Sequence, residues 1–286
     1  MTTRSFTATA RHDSYPAIDP TKADLTGKVV LIAGASRGIG KATALAVAQA
    51  GAKGLVLLAR SDLSAVKEEA LSLQRPGQPI EVLTLSVDIT RNEQVTAAVK
   101  KVEDIFGRLD VVVNNAGHLG QLGPMGDNDP DEWWTTWNVN IRGTYNVVRA
   151  ALPLLIKCGG DKTIITVTSR SAVMLLPGIS AYSVTKLALL RFVEHINVEY
   201  GHQGVLAYSV HPGSIDTEIN SVLPKEYKST LTETTELPGH TIVWLAQERR
   251  EWLAGRYIDC TWDVEELLAK RGEIVAGDKL KCKLII

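Results

Sequence analysis

From residue 28 onward the chain alternates short apolar runs with longer segments of helical character, and this alternation restricts the fold more than any other feature. The runs lie at residues 28–33, 55–58, 80–87, 109–113, 164–167, 205–210 and 256–261, and most are rich in Val, Ile and Leu with no polar alternation. These runs are read as strands, and residues 28–33, closed by glycine, as one buried on both faces. Between them, residues 40–50 are rich in Ala and Val and stop at Gly51. Ser61 and Asp62 can cap a helix that ends at the turn Arg75-Pro76-Gly77-Gln78-Pro79. Val95, Ala98, Val99, Val102, Ile105 and Phe106 recur at helical spacing before Gly107. A long helix is predicted over residues 131–157, bent in its last turn by Pro153, another after Pro177-Gly178 that carries Tyr182 and Lys186 in its first turns and runs to Gly201, and another over 241–253. Strands separated by helices of this length pack as one parallel sheet with helices on both faces. No linker divides residues 25–262. The expectation is one α/β domain, a doubly wound parallel sheet of about seven strands, with an arm at residues 1–24 and a tail at 263–286.

The chain has 286 residues, 45% hydrophobic and 22% charged, and a net charge of −1. A core of ordinary size is expected, and no basic field that would recruit nucleic acid or an anionic membrane. No apolar run approaches the roughly 18 residues that a membrane span needs. Cys158, Cys260 and Cys282 lack metal-ligand spacing, so no metal site is expected and the thiols are read as reduced, in a cytoplasmic protein. The first twelve residues hold Arg4 and Arg11 and no acid, a faint likeness to a transit peptide. A loose or surface-packed arm is the simpler reading.

Open α/β sheets bind ligands beyond the C-terminal ends of their strands, and the polar motifs of this chain fall there. Gly34-Ala35-Ser36-Arg37-Gly38-Ile39-Gly40 joins the first strand to the first helix. Glycines at such a turn let backbone N–H groups approach a pyrophosphate, which the helix N-terminus then stabilises. The strand–turn–helix setting suits a Rossmann-like fold, although the Gly-x3-Gly-x-Gly spacing is not the usual dinucleotide fingerprint. The second strand ends Leu58-Ala59-Arg60, with no acid before Asp62. An acid would bond a ribose 2′-hydroxyl and repel a 2′-phosphate, whereas Arg60 can hold the phosphate and Arg37 can add a second charge. The expected cofactor is NADPH/NADP+.

Ser169 follows the fifth strand, and Tyr182 and Lys186 stand four apart on one face of the next helix. A free tyrosine is a sluggish acid near neutrality, and a neighbouring ammonium would lower its pKa. Lys186 is placed to do so, Tyr182 to exchange a proton with a carbonyl or alkoxide oxygen, and Ser169 to orient that oxygen. His118 and Arg170 follow motif residues at the cleft and are candidate substrate contacts, while His195 and His211 read as structural.

Gly34 to Gly40, Asn114 to Gly117, Ser169, Tyr182 with Lys186, and Pro212-Gly213 occur in the order and spacing of the short-chain dehydrogenase/reductase family, which residues 25–217 resemble. The resemblance implies that Gly34, Ser36, Arg37, Gly38, Ile39 and Gly40 hold the cofactor phosphates, with Arg60 at the 2′-phosphate. It implies Asp88 and Ile89 at the adenine, and Asn115, Ala116 and Gly117 along the adenine ribose, with Asn114 either there or tying strands together. Asn140 resembles a fourth catalytic residue, one that holds a water linking the lysine to solvent. Tyr182, Lys186, Pro212, Gly213, Ile215 and Thr217 would meet the nicotinamide and its ribose. Residues 218–239 correspond to a substrate lid, and its Ile219, Val222, Leu223, Pro224, Tyr227 and Leu231 suggest an apolar or aromatic carbonyl or alcohol substrate. Ala33 departs from the Thr found there in many members. The tail, Gly255 to Asp263 and a short helix over 264–270, resembles a fungal-type subset, and with Trp133, Trp134 and Trp137 it suggests a homodimer or homotetramer. The implied activity is reversible reduction of a ketone or aldehyde. A non-redox cyclase, dehydratase or epimerase on the same fold, or a non-catalytic NADP sensor, is the alternative, and the intact Ser–Tyr–Lys set argues against both.

Overall fold

The computed structural model describes residues 5–284, and within them the expected strands form a single sheet. These are β1 (Val29–Ala33), β2 (Gly54–Ala59), β3 (Glu81–Ser86), β4 (Val111–Asn114), β5 (Thr163–Val167), β6 (Leu206–His211) and β7 (Tyr257–Asp259). All are parallel, in the order β3-β2-β1-β4-β5-β6-β7. The chain winds outward from β1 to β3, then crosses back to β4 and winds the other way. That reversal opens a crevice beyond the C-terminal ends of β1 and β4.

Every residue of β1, β2, β4, β5 and β6 is buried, which explains their continuous apolar runs. Alternate residues serve two cores. Val30, Ile32, Leu55 and Leu57 pack beneath α1 (Gly38–Gln49) and α8 (Glu236–Gln247), whereas Leu31, Val56, Val112 and Ile164 pack beneath α3 (Asn92–Phe106), α5 (Thr144–Lys157) and α6 (Ser180–Tyr200). The remaining helices are α2 (Ser64–Ser72), α4 (Pro130–Trp137), a short α7 (Lys225–Lys228), α9 (Val264–Ala269) and α10 (Arg271–Ala276). Among the described residues no helix is long and apolar enough to cross a membrane.

Three elements differ from expectation. Residues 131–157 are not one helix, because a π-helical stretch, Asn138–Gly143, separates α4 from α5. Helix α8 begins at Glu236, inside the expected lid, and ends at Gln247. Pro238 is tolerated in the first helical turn, and Gly239 serves close packing: a Cβ there would stand 3.0 Å from the backbone of Ala42 and Thr43 on α1. The tail holds two short helices where one was expected, α9 being capped by the Asp263 side chain through the backbone N–H of Glu265 and Glu266.

Residues of the arm lie against this tail. Ala10 pairs with Trp262 as an antiparallel bridge, Phe6 meets the Trp262 ring, and Arg11 bonds Asp263 at 2.7 Å.

Candidate active site

The turn after β1 is shaped by what its glycines leave out. Gly34 has φ +83°, and a Cβ there would stand 2.7 Å from the Ala116 backbone. At Gly40 a Cβ would come within 2.6 Å of Asn115 Nδ2, the amide that donates to Gly34 O at 2.8 Å. The end of β4 thus braces the turn, and α1 starts at Gly38 with its N-terminal N–H groups facing the crevice mouth. Arg37 is exposed and pairs with Glu218 at 2.8 Å, a contact from the turn to the start of the lid that sequence reasoning missed. Arg60 lies exposed beyond Ala59.

Asp88 follows β3 and accepts from Thr90 N at 2.9 Å and Thr90 Oγ1 at 2.8 Å. Burial acts against its charge, yet the Thr90 bonds and the nearby Arg60 hold its carboxyl below the ordinary value. The Ile89 side chain packs under Gly143, where a Cβ would stand 2.5 Å from Ile89 Cδ1. Asn114 reaches Thr166 Oγ1 on β5 at 3.5 Å, a strand-to-strand tie.

The structure brings Asn140, Ser169, Tyr182 and Lys186 to one place. Gly117 lies between them: a Cβ on it would be 3.6 Å from both Asn140 Oδ1 and Lys186 Nζ, and 3.7 Å from Ile219 of the lid. Lys186 is 3% exposed, donates to Val167 O at 2.9 Å, and sits 5.4 Å from the centre of the Tyr182 ring. Ser169 accepts from Ser171 N at 3.2 Å, which turns its side chain at the start of the short Arg170–Ala172 turn. Asn140 is fully buried in the π-helical stretch. Its Oδ1 accepts from His118 N at 2.8 Å, and its Nδ2 donates to His118 O at 2.9 Å and Thr185 Oγ1 at 3.0 Å. Both amide hydrogens are therefore used and one oxygen lone pair is left. Thr185, which passes the contact on to Tyr182 O at 2.8 Å, was not singled out in the sequence. Its only signal there was a hydroxyl residue on the buried side of the Tyr182 helix.

One electrostatic expectation is corrected. Tyr182 is not lowered by Lys186: burial pushes its hydroxyl up to about 12, opposed by the Ser169 hydroxyl beside it. The same burial brings Lys186 down to about 8. An ammonium that is itself desolvated and bonded to a carbonyl does not outweigh the cost of forming a buried phenolate. At neutral pH the phenol keeps its proton. The arrangement can donate a proton to an oxygen held between Ser169 and Tyr182.

Gly213 follows β6 with φ +104°, and Ile215 beyond it is 4% exposed and bridges Glu233. Thr217 borders the glycine turn, since a Cβ on Gly38 would stand 3.3 Å from Thr217 Cγ2. Of the other candidates, His118 contributes its backbone to Asn140 while its ring lies 3.6 Å from Glu132. Arg170 bonds Asp259 at 3.0 Å and gives its N–H to His211 Nδ1 at 3.1 Å. His211 is buried, which brings it down to about 4, so it stays neutral. His195 is on the exposed face of α6, 3.7 Å from Glu199, and not in the core.

Residues 28–228 match the model of the short chain dehydrogenase family. The chain is a short-chain dehydrogenase/reductase. It is 48% identical over 277 residues to the short chain dehydrogenase mpl6 of Monascus purpureus, across 96% of this chain and 94% of that one. Among solved structures it is similar to ElxO with NADP bound, at TM-score 0.72 and 26% identity, covering 82% of this chain and 97% of that one. It shares its fold with carveol dehydrogenase from Mycobacterium avium in complex with NAD, at TM-score 0.76 and 19% identity, covering 83% and 97%. The family is one of NAD(P)-using oxidoreductases.

Proposed function

We propose that this short-chain dehydrogenase/reductase reduces a ketone or aldehyde at the expense of NADPH, and reversibly oxidises the alcohol, with Tyr182 as the general acid and base. The observation that carries the reading is the Tyr182 hydroxyl beside Ser169, with the buried Lys186 Nζ 5.4 Å from the centre of its ring. In the direction of reduction Tyr182 Oη gives its proton to the carbonyl oxygen as negative charge develops there, and Ser169 Oγ donates a hydrogen bond to the same oxygen. Lys186, with one carbonyl partner and further N–H groups to offer, steadies the charge left on the tyrosine. Asn140 holds the loop at His118 against α6 and so keeps this group of residues together.

The residues at the crevice mouth fit a dinucleotide, because Gly34 and Gly40 let the turn pack against Ala116 and Asn115 and so bring the start of α1 to the crevice. When bound, the nicotinamide supplies or accepts the hydride. Gly34, Ser36, Gly38, Ile39 and Gly40 would hold the pyrophosphate, Asp88 and Ile89 the adenine, and Pro212, Gly213, Ile215 and Thr217 the nicotinamide end. Solved neighbours include both NAD and NADP complexes. The preference for NADPH rests on Arg60 and Arg37. Arg37 is paired with Glu218, but both side chains are more than half exposed, and a pair of that kind is worth little against a dianionic phosphate.

Val173, Leu175 and Leu176 after Ser169, and Val222 and Tyr227 of the lid, are exposed apolar side chains. They support an apolar or aromatic substrate. Trp134, Tyr145, Val184 and Leu187, exposed on α4, α5 and α6, support a homodimer or homotetramer. The direct test is a screen of carbonyl compounds by NADPH absorbance with Tyr182→Phe as control. Turnover by the variant equal to that of the wild type would remove Tyr182 from the mechanism.

A further inference from the structure

We infer that Glu233 is a positioning residue for the turn Pro212-Gly213-Ser214-Ile215, and that the N-terminal arm holds it there through His12. The inference rests on the proposed nicotinamide site, which this turn would border. Glu233 lies in the lid segment three residues before α8, and it takes both backbone groups of Ser214. Its N–H donates to Ser214 O at 3.2 Å, and its Oε2 accepts from Ser214 N at 2.6 Å. The stem of the same side chain fills the space over Gly213: a Cβ on that residue would stand 3.0 Å from Glu233 Cγ. Gly213 has φ +104°, a region that other residues avoid, so its conformation depends on what lies on either side of it.

The second carboxylate oxygen belongs to the arm. Oε1 accepts from His12 Nδ1 at 2.8 Å and from Thr232 Oγ1 at 3.1 Å. Nδ1 must be the donor, because a carboxylate only accepts. The arm grips the neighbouring residue as well: Thr234 N donates to His12 O at 3.0 Å, and Thr234 Oγ1 to Asp13 Oδ1 at 2.6 Å. Glu233 is 8% exposed at its side chain, while His12 is 60% exposed. A buried carboxylate bonded to a backbone N–H is among the stronger hydrogen bonds, and deleting it leaves the Ser214 N–H without an acceptor. Thr217, three residues beyond Ser214, touches the glycine turn, so a shift of this segment reaches the crevice.

Hydrogen exchange in the ligand-free protein and NADP+ affinity from tryptophan fluorescence test this together. Glu233→Ala should speed exchange across residues 212–217 about tenfold and weaken NADP+ binding about tenfold. Glu233→Gln keeps an acceptor for Ser214 N and should stay within about threefold of wild type. His12→Ala, which leaves Glu233 in place and makes no core contact, should weaken binding about threefold. A Glu233→Ala protein with a lower Tm but unchanged exchange and affinity would overturn the inference, as would His12→Ala and Glu233→Gln both binding like wild type while Glu233→Ala fails to fold. Faster exchange with unchanged affinity also overturns it. Wild-type protein that binds neither NADP+ nor NADPH overturns the cofactor reading itself.

Discussion

Tyr182 keeps its proton at neutral pH because forming a phenolate in a buried place costs more than the Ser169 hydroxyl returns. A general acid typically contributes 10²–10⁴-fold, so Tyr182→Phe should lower kcat for carbonyl reduction by about 10³-fold. NADPH affinity measured by fluorescence should stay close to wild type. Lys186 makes a separate prediction about stability. Its folded pKa, about 8, lies below its ordinary 10.5, so between those values the unfolded chain binds more protons and stability through this group rises with pH. Below pH 8 the native state carries a buried charge that Lys186→Met lacks. The Met variant should therefore gain most at pH 7, and its advantage in urea melts should shrink by about 1.4 kcal/mol per pH unit above pH 8. The lost bond to Val167 O is the same at either pH and does not alter that trend. A wild-type-to-variant difference that stayed constant from pH 7 to 9.5 would rule out a buried charged lysine. At Arg60 the expected result concerns cofactor choice: Arg60→Ala should cut the NADPH-to-NADH ratio of kcat/KM about tenfold or more, the loss of one charge-assisted phosphate contact. An unchanged ratio would place the 2′-phosphate elsewhere.

Helix α8 shows how an element boundary can be misread while the element is right. Pro238-Gly239 carries the composition of a turn, yet it forms the first turns of a helix pressed on α1. Gly239→Ala gains helix propensity worth about 1 kcal/mol. The new Cβ would stand 3.0 Å from two backbone atoms that cannot swing aside, and overpacking of that kind costs about 1–3 kcal/mol. The clash should win, with a net loss of about 1 kcal/mol in a denaturant melt; a stabilised variant would show that α1 and α8 can part freely. The π-helical stretch at Asn138–Gly143 was legible only as helix, since apolar spacing does not register one widened turn. That turn buries Asn140 against the His118 backbone, and Gly143 makes room for Ile89.

Across the whole molecule, the arm fastens to the tail and to the end of the lid. Asp263 caps α9 and bonds Arg11 at 2.7 Å. Burial works against its charge, but the backbone N–H of Glu266 and the Arg11 guanidinium hold its carboxyl below the ordinary 3.8. A carboxyl lowered in this way contributes fully above the ordinary value, and its contribution is lost as pH falls through the folded one. Asp263→Asn keeps a capping oxygen and loses the ion pair, so it should cost about 1 kcal/mol at pH 7. The gap to wild type should close as the pH drops below 3.8. Parallel stability curves for the two proteins over that range would show that the charge on Asp263 contributes nothing.

The amino-acid sequence by itself determined the parallel sheet, the crevice and the four polar residues at its floor, because strands buried on both faces need continuous apolar runs and helix spacing puts Tyr182 and Lys186 on one side. What only the tertiary structure decided were contacts between residues far apart in the chain. Glu218 reaches Arg37, Glu233 joins Ser214 to His12, and Thr185 meets Asn140, each across a distance that no local period records. The protonation of Tyr182 belongs to the same class. Spacing brought a lysine near it, but the degree of burial, a property of the packed molecule, set the direction in which its pKa moved.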